Sequence, residues 1–77
     1  EAFTVSENDV VSGTGTKTVT YPTAFKLSPA LGIAAQNMAT GDTFTITNKT
    51  TTGFQIAFTN SSGSGVSRTF DYVAKGV

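Results

Sequence analysis

The chain contains no cysteine, no histidine and no tryptophan, and only 13% of its 77 residues are charged. Without cysteine there is no disulfide, and without cysteine and histidine a structural zinc site lacks its usual ligands. The absence of histidine also removes the side chain that most often transfers protons near neutral pH. Five basic residues balance five acidic ones, whereas nucleic-acid-binding domains normally have a basic face. These absences predict a protein that is not an enzyme, holds no cofactor or metal ion and does not bind nucleic acid.

Long apolar segments are missing too. No run of 18 or more apolar residues occurs, so we expect no insertion into a membrane.

Serine and threonine occupy 22 of the 77 positions, and 21 residues are large and apolar. A chain of this length forms one domain at most and buries only about 60% of its unfolded surface. With no disulfide or metal to stabilise it, we expect residues 1–77 to form a single domain that associates with copies of itself.

Apolar and polar residues alternate with a period of two along most of the chain, which predicts strands with one buried face. Residues 29–38 are rich in alanine, but Gly32 disfavours a helix and the alternation continues through Leu31 and Ile33. Glycine and serine at residues 12–16 and 60–65 predict turns, and the last three strands are expected to form a meander. The six predicted strands are residues 2–6, 17–21, 29–38, 42–48, 53–60 and 66–74. The sequence therefore predicts an all-β fold, a small six-stranded antiparallel β-sandwich.

Few side chains suggest a chemical site. Glu7 and Asp9 point the same way from a strand and could bind a hard cation, but the spaced oxygen ligands of a calcium loop are absent. A solvated strand end is the alternative interpretation of this pair. Arg68 is the only arginine, and its planar guanidinium can bind a carboxylate through paired hydrogen bonds or stack on a sugar ring. The alternative interpretation of Arg68 is a surface or intersubunit contact. Tyr21 and Tyr72 are expected to expose their hydroxyls to water.

Three segments resemble the H-type lectin family. They are residues 18–25 (TVTYPTAF), 28–33 (SPALGI) and 51–58 (TTGFQIAF), of which Thr52-Gly53-Phe54 is the most specific. The segment from residue 63 to 76 is similar to the C-terminal segments of phage tail-fibre and tail-tip proteins that carry such domains. The resemblance implies an H-type lectin-like sandwich that assembles as a homotrimer, sometimes stacked into hexamers. It also implies that residues 1–77 are part of a longer virion protein of the tail fibre, tail tip or head fibre.

A function follows from the same resemblance, namely a receptor-binding module that contacts host cell-surface glycans or polysaccharide weakly and multivalently. In the family, a Trp-His pair in the loop after the Thr-Gly-Phe strand forms part of the sugar site, and this chain has neither residue there. We expect the polar residues Asn60, Ser61, Ser62, Ser64 and Arg68 to contact the sugar instead. The alternative is a structural module that trimerises a fibre, or decorates a capsid or tail, and has no ligand of its own. Either role implies other virion proteins as partners.

Overall fold

A computed structural model describes residues 1–11 and 15–77, in which every regular element is a β-strand. The strands are β1 Phe3–Val11, β2 Lys17–Thr20, β3 Ala30–Ala35, β4 Thr43–Thr47, β5 Gly53–Thr59, β6 Gly65–Val66 and β7 Arg68–Gly76. The all-β prediction is confirmed, whereas the predicted number of six strands is wrong because the described part of the chain contains seven. The turn predicted at residues 12–16 lies largely outside the described residues. No helix long and apolar enough to cross a membrane occurs within residues 1–11 and 15–77.

The strands form two antiparallel sheets that pack face to face. One sheet has the strand order β1-β7-β3. In the other, β5 pairs with β4 along one edge and with β2 and then β6 along the opposite edge. β5 and β7 are therefore the central strands, and each supplies three buried side chains to the space between the sheets, as the alternation predicts. These side chains are Phe54, Ile56, Phe58, Phe70, Tyr72 and Ala74.

The last strand departs from the predicted meander. β4, β5 and β6 do follow one another as neighbours, but the chain leaves this sheet at Ser67. β7 then lies in the opposite sheet, where Tyr72 pairs with Glu7 of β1 and with Ile33 of β3. The extra strand β6 arises at the same point, because only Gly65 and Val66 pair with β5 before the chain crosses over. Alternation identifies the buried face of a strand but not the strands beside it.

β1 is longer than the sequence predicts. Residues 7–9 read Glu-Asn-Asp, which are poor strand formers, and the predicted strand ends at Ser6. In the structure the whole of β1 pairs with β7, from Phe3 opposite Gly76 to Val11 opposite Arg68. The central strand thus imposes an extended conformation on residues that do not favour it.

Aromatic rings join the two sheets. The Phe58 and Phe70 ring centroids are 5.9 Å apart, and the Phe54 and Tyr72 rings meet edge to face at 5.3 Å. Tyr21 follows β2 and packs against both Phe54 and Tyr72, with 6.0 Å between ring centroids in each case. Such pairs add to the stabilisation that burial of each ring supplies. The sandwich therefore has a packed aromatic centre despite its small size.

Candidate functional site

The loop between β5 and β6, residues 60–64, is folded around the side chain of Asn60. Its Oδ1 accepts hydrogen bonds from the backbone N–H groups of Ser62 (2.9 Å) and Ser64 (3.0 Å). The Asn60 N–H donates to the Ser64 carbonyl at 2.9 Å, and the Gly63 N–H donates to the Asn60 carbonyl at 3.0 Å. Asparagine commonly organises turns in this way. Asn60, which the sequence suggests as a sugar contact, therefore already uses its side-chain Oδ1 for hydrogen bonds within the loop.

The loop rests on the neighbouring turn at residues 39–42. Gly41 has a φ of 87°, a conformation that favours glycine, and a Cβ added there would lie 2.8 Å from the Cβ of Ser61. The hydroxyl-bearing residues Ser61, Ser62 and Ser64 are exposed at this end of the sandwich. Loop and turn thus form one polar surface that includes the three exposed serines.

An ion pair fixes the base of this surface. Arg68 Nε and Nη2 donate to Asp42 Oδ2 at 2.8 and 2.7 Å, and Arg68 Nη1 donates to the Ser67 carbonyl at 2.7 Å. The side chains of Arg68 and Asp42 are only 19% and 2% exposed. Asp42 also accepts a hydrogen bond from the Ala39 N–H at 2.8 Å. The structure therefore brings Arg68 close to the 60–64 loop, but its guanidinium already holds a carboxylate of this chain.

Sequence reasoning missed Asp42 because its partner lies 26 residues away along the chain. The hydrogen bond from the Ala39 N–H, and then the hydrogen bond and positive charge of Arg68, hold the pKa of Asp42 below its usual value, although burial opposes the shift. The folded chain therefore favours the ionised carboxylate. A depressed carboxyl pKa makes stability depend on pH.

Replacing Asp42 with asparagine is expected to lower the urea midpoint of unfolding at pH 7, and this deficit is expected to shrink in acid. The pKa of Asp42 is lower in the folded chain than the ordinary 3.8, so the stability from its carboxylate is complete above that value. It is lost as the pH falls through the lower, folded pKa. Urea unfolding of both proteins at pH 7, 4 and 2 measures the effect. Glu1→Gln, which alters a carboxylate on an exposed residue, is the control. An Asp42→Asn deficit that is constant with pH would contradict the explanation.

The two tyrosine hydroxyls are not exposed to water, so that prediction is wrong. Tyr21 is 4% exposed and Tyr72 is 2% exposed, because both rings belong to the aromatic centre between the sheets. The Tyr72 hydroxyl donates to the Glu7 carboxylate, whereas the Tyr21 hydroxyl is buried and has no hydrogen-bond partner among the described residues. Burial raises the pKa of Tyr21. Burial, the hydrogen bond to Glu7 and the charge of Glu7 raise the pKa of Tyr72 further.

The two carboxylates considered as a cation site have separate partners. Glu7 accepts the hydrogen bond from Tyr72, and Asp9 Oδ1 lies 3.6 Å from Lys17 Nζ and accepts a hydrogen bond from the Val10 N–H. Within residues 1–11 and 15–77, no group of three or more aspartate, glutamate, histidine or cysteine residues is placed to hold a metal ion. Glu7 and Asp9 therefore tie β1 to neighbouring elements. They lie in the middle of β1, away from the strand end at which the sequence places them.

Three clefts lie away from the 60–64 loop. One of about 330 Å³ is formed by residues of β1 and β7, beside Glu7 and Tyr72. A groove of about 310 Å³ lies on the outer face of the β1-β7-β3 sheet, around Val73 and Gly32. A polar cleft of about 240 Å³ is lined by residues of β2, of the connection from β4 to β5 and of the start of β5. None of the three clefts is lined by residues 60–64.

Comparison with known proteins supports the fold. No protein-family model matches the chain, and no curated protein matches it. Among solved structures, discoidin II of Dictyostelium discoideum is similar, with a TM-score of 0.74 and 23% sequence identity over 96% of this chain. The match covers 36% of the discoidin II chain, so this chain spans about a third of its length. At this identity the likeness shows the fold alone, and the chain has a discoidin II-like two-sheet β-sandwich.

Proposed function

We propose that this chain is a carbohydrate-binding, lectin-like domain that contacts glycans through the polar surface formed by the 60–64 loop and the 39–42 turn. The observation that carries the proposal is the exposed row of Ser61, Ser62 and Ser64 on a loop held in place by Asn60. A loop whose backbone is held in place before binding loses less conformational entropy when it binds a polyol. The discoidin II-like fold and the resemblance of residues 51–58 to H-type lectins support the same function.

A single site of this kind binds weakly. The loop has no aromatic side chain to stack on a sugar ring, and the Nε and Nη2 groups of Arg68 already donate to Asp42. We therefore propose that the chain acts as a homotrimer, in which several weak contacts with a cell surface reinforce one another. The similarity of residues 63–76 to phage tail segments supports a virion location in a tail fibre, tail tip or head fibre, with a host glycan as receptor and no catalytic activity.

The second candidate function is a structural module that trimerises a fibre or decorates a virion without binding sugar. The hydrogen bonding of the loop itself favours this alternative. Asn60 Oδ1 and the Arg68 guanidinium, two of the five expected sugar contacts, have partners within the chain. A loop that satisfies its own polar groups needs no ligand to be stable.

Removing the three serine hydroxyls is expected to weaken glycan binding at least about tenfold, because each lost hydrogen bond contributes about 1 kcal/mol. The variant Ser61→Ala, Ser62→Ala, Ser64→Ala keeps the Ser61 Cβ beside Gly41 and the backbone N–H groups that bond Asn60. A glycan array compares it with the unaltered chain. The control variant carries three alanines in exposed positions outside the loop and the turn, at Thr20 of β2 and at Thr45 and Thr47 of β4.

Three outcomes separate the possibilities. Binding by the parent and control proteins but not by the serine variant supports the loop as the sugar site. Equal binding by all three places the sugar site elsewhere and contradicts the assignment. Parent protein that binds no glycan, yet sediments as three copies of the 7.9 kDa chain, supports the structural alternative.

A further inference from the structure

The outer face of the β1-β7-β3 sheet has an apolar centre. Val73 of β7 is 44% exposed there and pairs with Ser6 on one side and Gly32 on the other. Its Cγ1 lies 3.3 Å from the position that a Cβ on Gly32 would take, so Val73 extends over the glycine. The groove of about 310 Å³ surrounds this point. An exposed valine on a sheet face is a candidate contact for another sheet.

Two opposite charges flank Val73 along the same strand. Asp71 and Lys75 point outward with Val73 and lie two residues to either side of it, which in a strand is about 7 Å in each direction. The Asp71 carboxylate accepts hydrogen bonds from Asn8 Nδ2 and Gln36 Nε2, both at 2.8 Å, and both donors are uncharged. The ion pairs among residues 1–11 and 15–77 are Lys17–Asp9 and Arg68–Asp42. Asp71 and Lys75 thus have no ionic partner within the described chain.

This spacing is self-complementary. We propose that two copies of the chain pair through this face, with their β7 strands antiparallel and Val73 on the twofold axis. The twofold rotation that relates the two copies places Asp71 of one copy against Lys75 of the other. By symmetry it also places Lys75 of the first copy against Asp71 of the second. A parallel arrangement would bring like charges together, so the charges select the antiparallel one.

The rest of the face permits this approach. The outward residues of β3 are Ala30, Gly32 and Ala34, which leave room for a second sheet at the usual separation of about 10 Å. Asn8 and Gln36 hold the Asp71 carboxylate in position before the partner arrives. The pairing uses neither the 60–64 loop nor the Arg68–Asp42 pair, so the serine surface of each copy stays accessible. It is independent of the proposed homotrimer, because a twofold contact and a threefold contact can coexist.

Charge reversal with rescue tests the proposal by sedimentation equilibrium. Lys75→Asp or Asp71→Lys alone is expected to raise the dissociation constant of the pair at least about tenfold, because each change introduces two repulsive contacts. The double variant Asp71→Lys, Lys75→Asp restores both contacts with the signs exchanged and is expected to associate within about threefold of the unaltered chain. Lys49→Asp, the same charge change in an exposed position between β4 and β5, is the control and leaves association unchanged. Circular dichroism checks that every variant keeps its strands.

The number of chains in the assembly, measured by sedimentation equilibrium, distinguishes this proposal from the proposed homotrimer. Two copies support the pairing and contradict the trimer, whereas three copies support the trimer and overturn the pairing. Six copies that fall to three in the single variants support both. A single chain at micromolar concentration contradicts both, and association that is indifferent to the charge reversals overturns the assignment of this face.

Discussion

Replacing Gly53 with alanine is expected to prevent folding or to lower the free energy of unfolding by about 4 kcal/mol or more, which is at the extreme of single-residue effects. A Cβ on Gly53 would lie 2.0 Å from the Val19 carbonyl oxygen, 3.0 Å from the Val19 carbonyl carbon and 3.1 Å from the Thr20 Cα. All three atoms belong to the backbone of β2, which pairs with β5 at this point. No rotamer change relieves such a contact, so the two strands would have to separate.

Two other glycines serve as controls. A Cβ on Gly15 would meet no atom within 4 Å, so Gly15→Ala is expected to change stability by less than about 1 kcal/mol. Gly63 also has open space but a φ of 81°, so Gly63→Ala is expected to cost about 1–2 kcal/mol from backbone strain alone. Urea unfolding followed by circular dichroism gives all three values. If Gly53→Ala is no less stable than Gly63→Ala, β2 and β5 do not approach as closely as described.

Phe70→Ala is expected to lower the free energy of unfolding by about 3–5 kcal/mol, the range for truncating a buried phenylalanine. Phe70 is 0% exposed, lies on the central strand between Asp9 of β1 and Ala35 of β3, and faces the Phe58 ring of the opposite sheet. Its removal leaves a cavity between two sheets that are each held by their own backbone hydrogen bonds, so collapse around the cavity is limited. Denaturant unfolding measures the loss.

Phe44→Ala is the matched comparison, since it removes the same group from an exposed position. Phe44 is 39% exposed, and its ring centroid lies 5.7 Å from that of Phe58. Its loss is expected to cost less than half as much as the loss of Phe70, because much of the ring is already in contact with water. Equal losses at the two positions would contradict the description of the core.

The alternating pattern was sufficient to predict the buried faces of the two central strands. Phe54 and Phe58 on β5, and Phe70 and Tyr72 on β7, are all buried on the side that the period of two indicates. The pattern could not show that β7 crosses to the other sheet, because pairing with β1 and β3 depends on residues far away in the chain. The single residue Ser67 between β6 and β7 carries no sequence signal for that crossing.

The candidate site was predicted less well than the fold, for a related reason. Glycine and serine mark residues 60–64 as a loop, but the hydrogen bonds that Asn60 makes within it depend on loop geometry. The pairing of Arg68 with Asp42 joins two elements that are separated along the chain. A tyrosine side chain occurs in protein cores as well as on surfaces, so the sequence does not show which environment it has. The three-dimensional structure shows that the Tyr72 ring is buried between the sheets and that its hydroxyl donates to Glu7.

The central position of β7 has a consequence for the order in which the chain folds. β1 has β7 as its paired neighbour, and this pairing joins Phe3 to Gly76, so during synthesis β1 can pair only after residues 68–76 have been made. The β4–β5 hairpin, whose strands are close in sequence, can form on the microsecond scale. Closing the long loop between β1 and β7 places complete folding in the millisecond-to-second range typical of small β-proteins. Until then, the apolar side of β1 has no paired strand beside it in its own sheet.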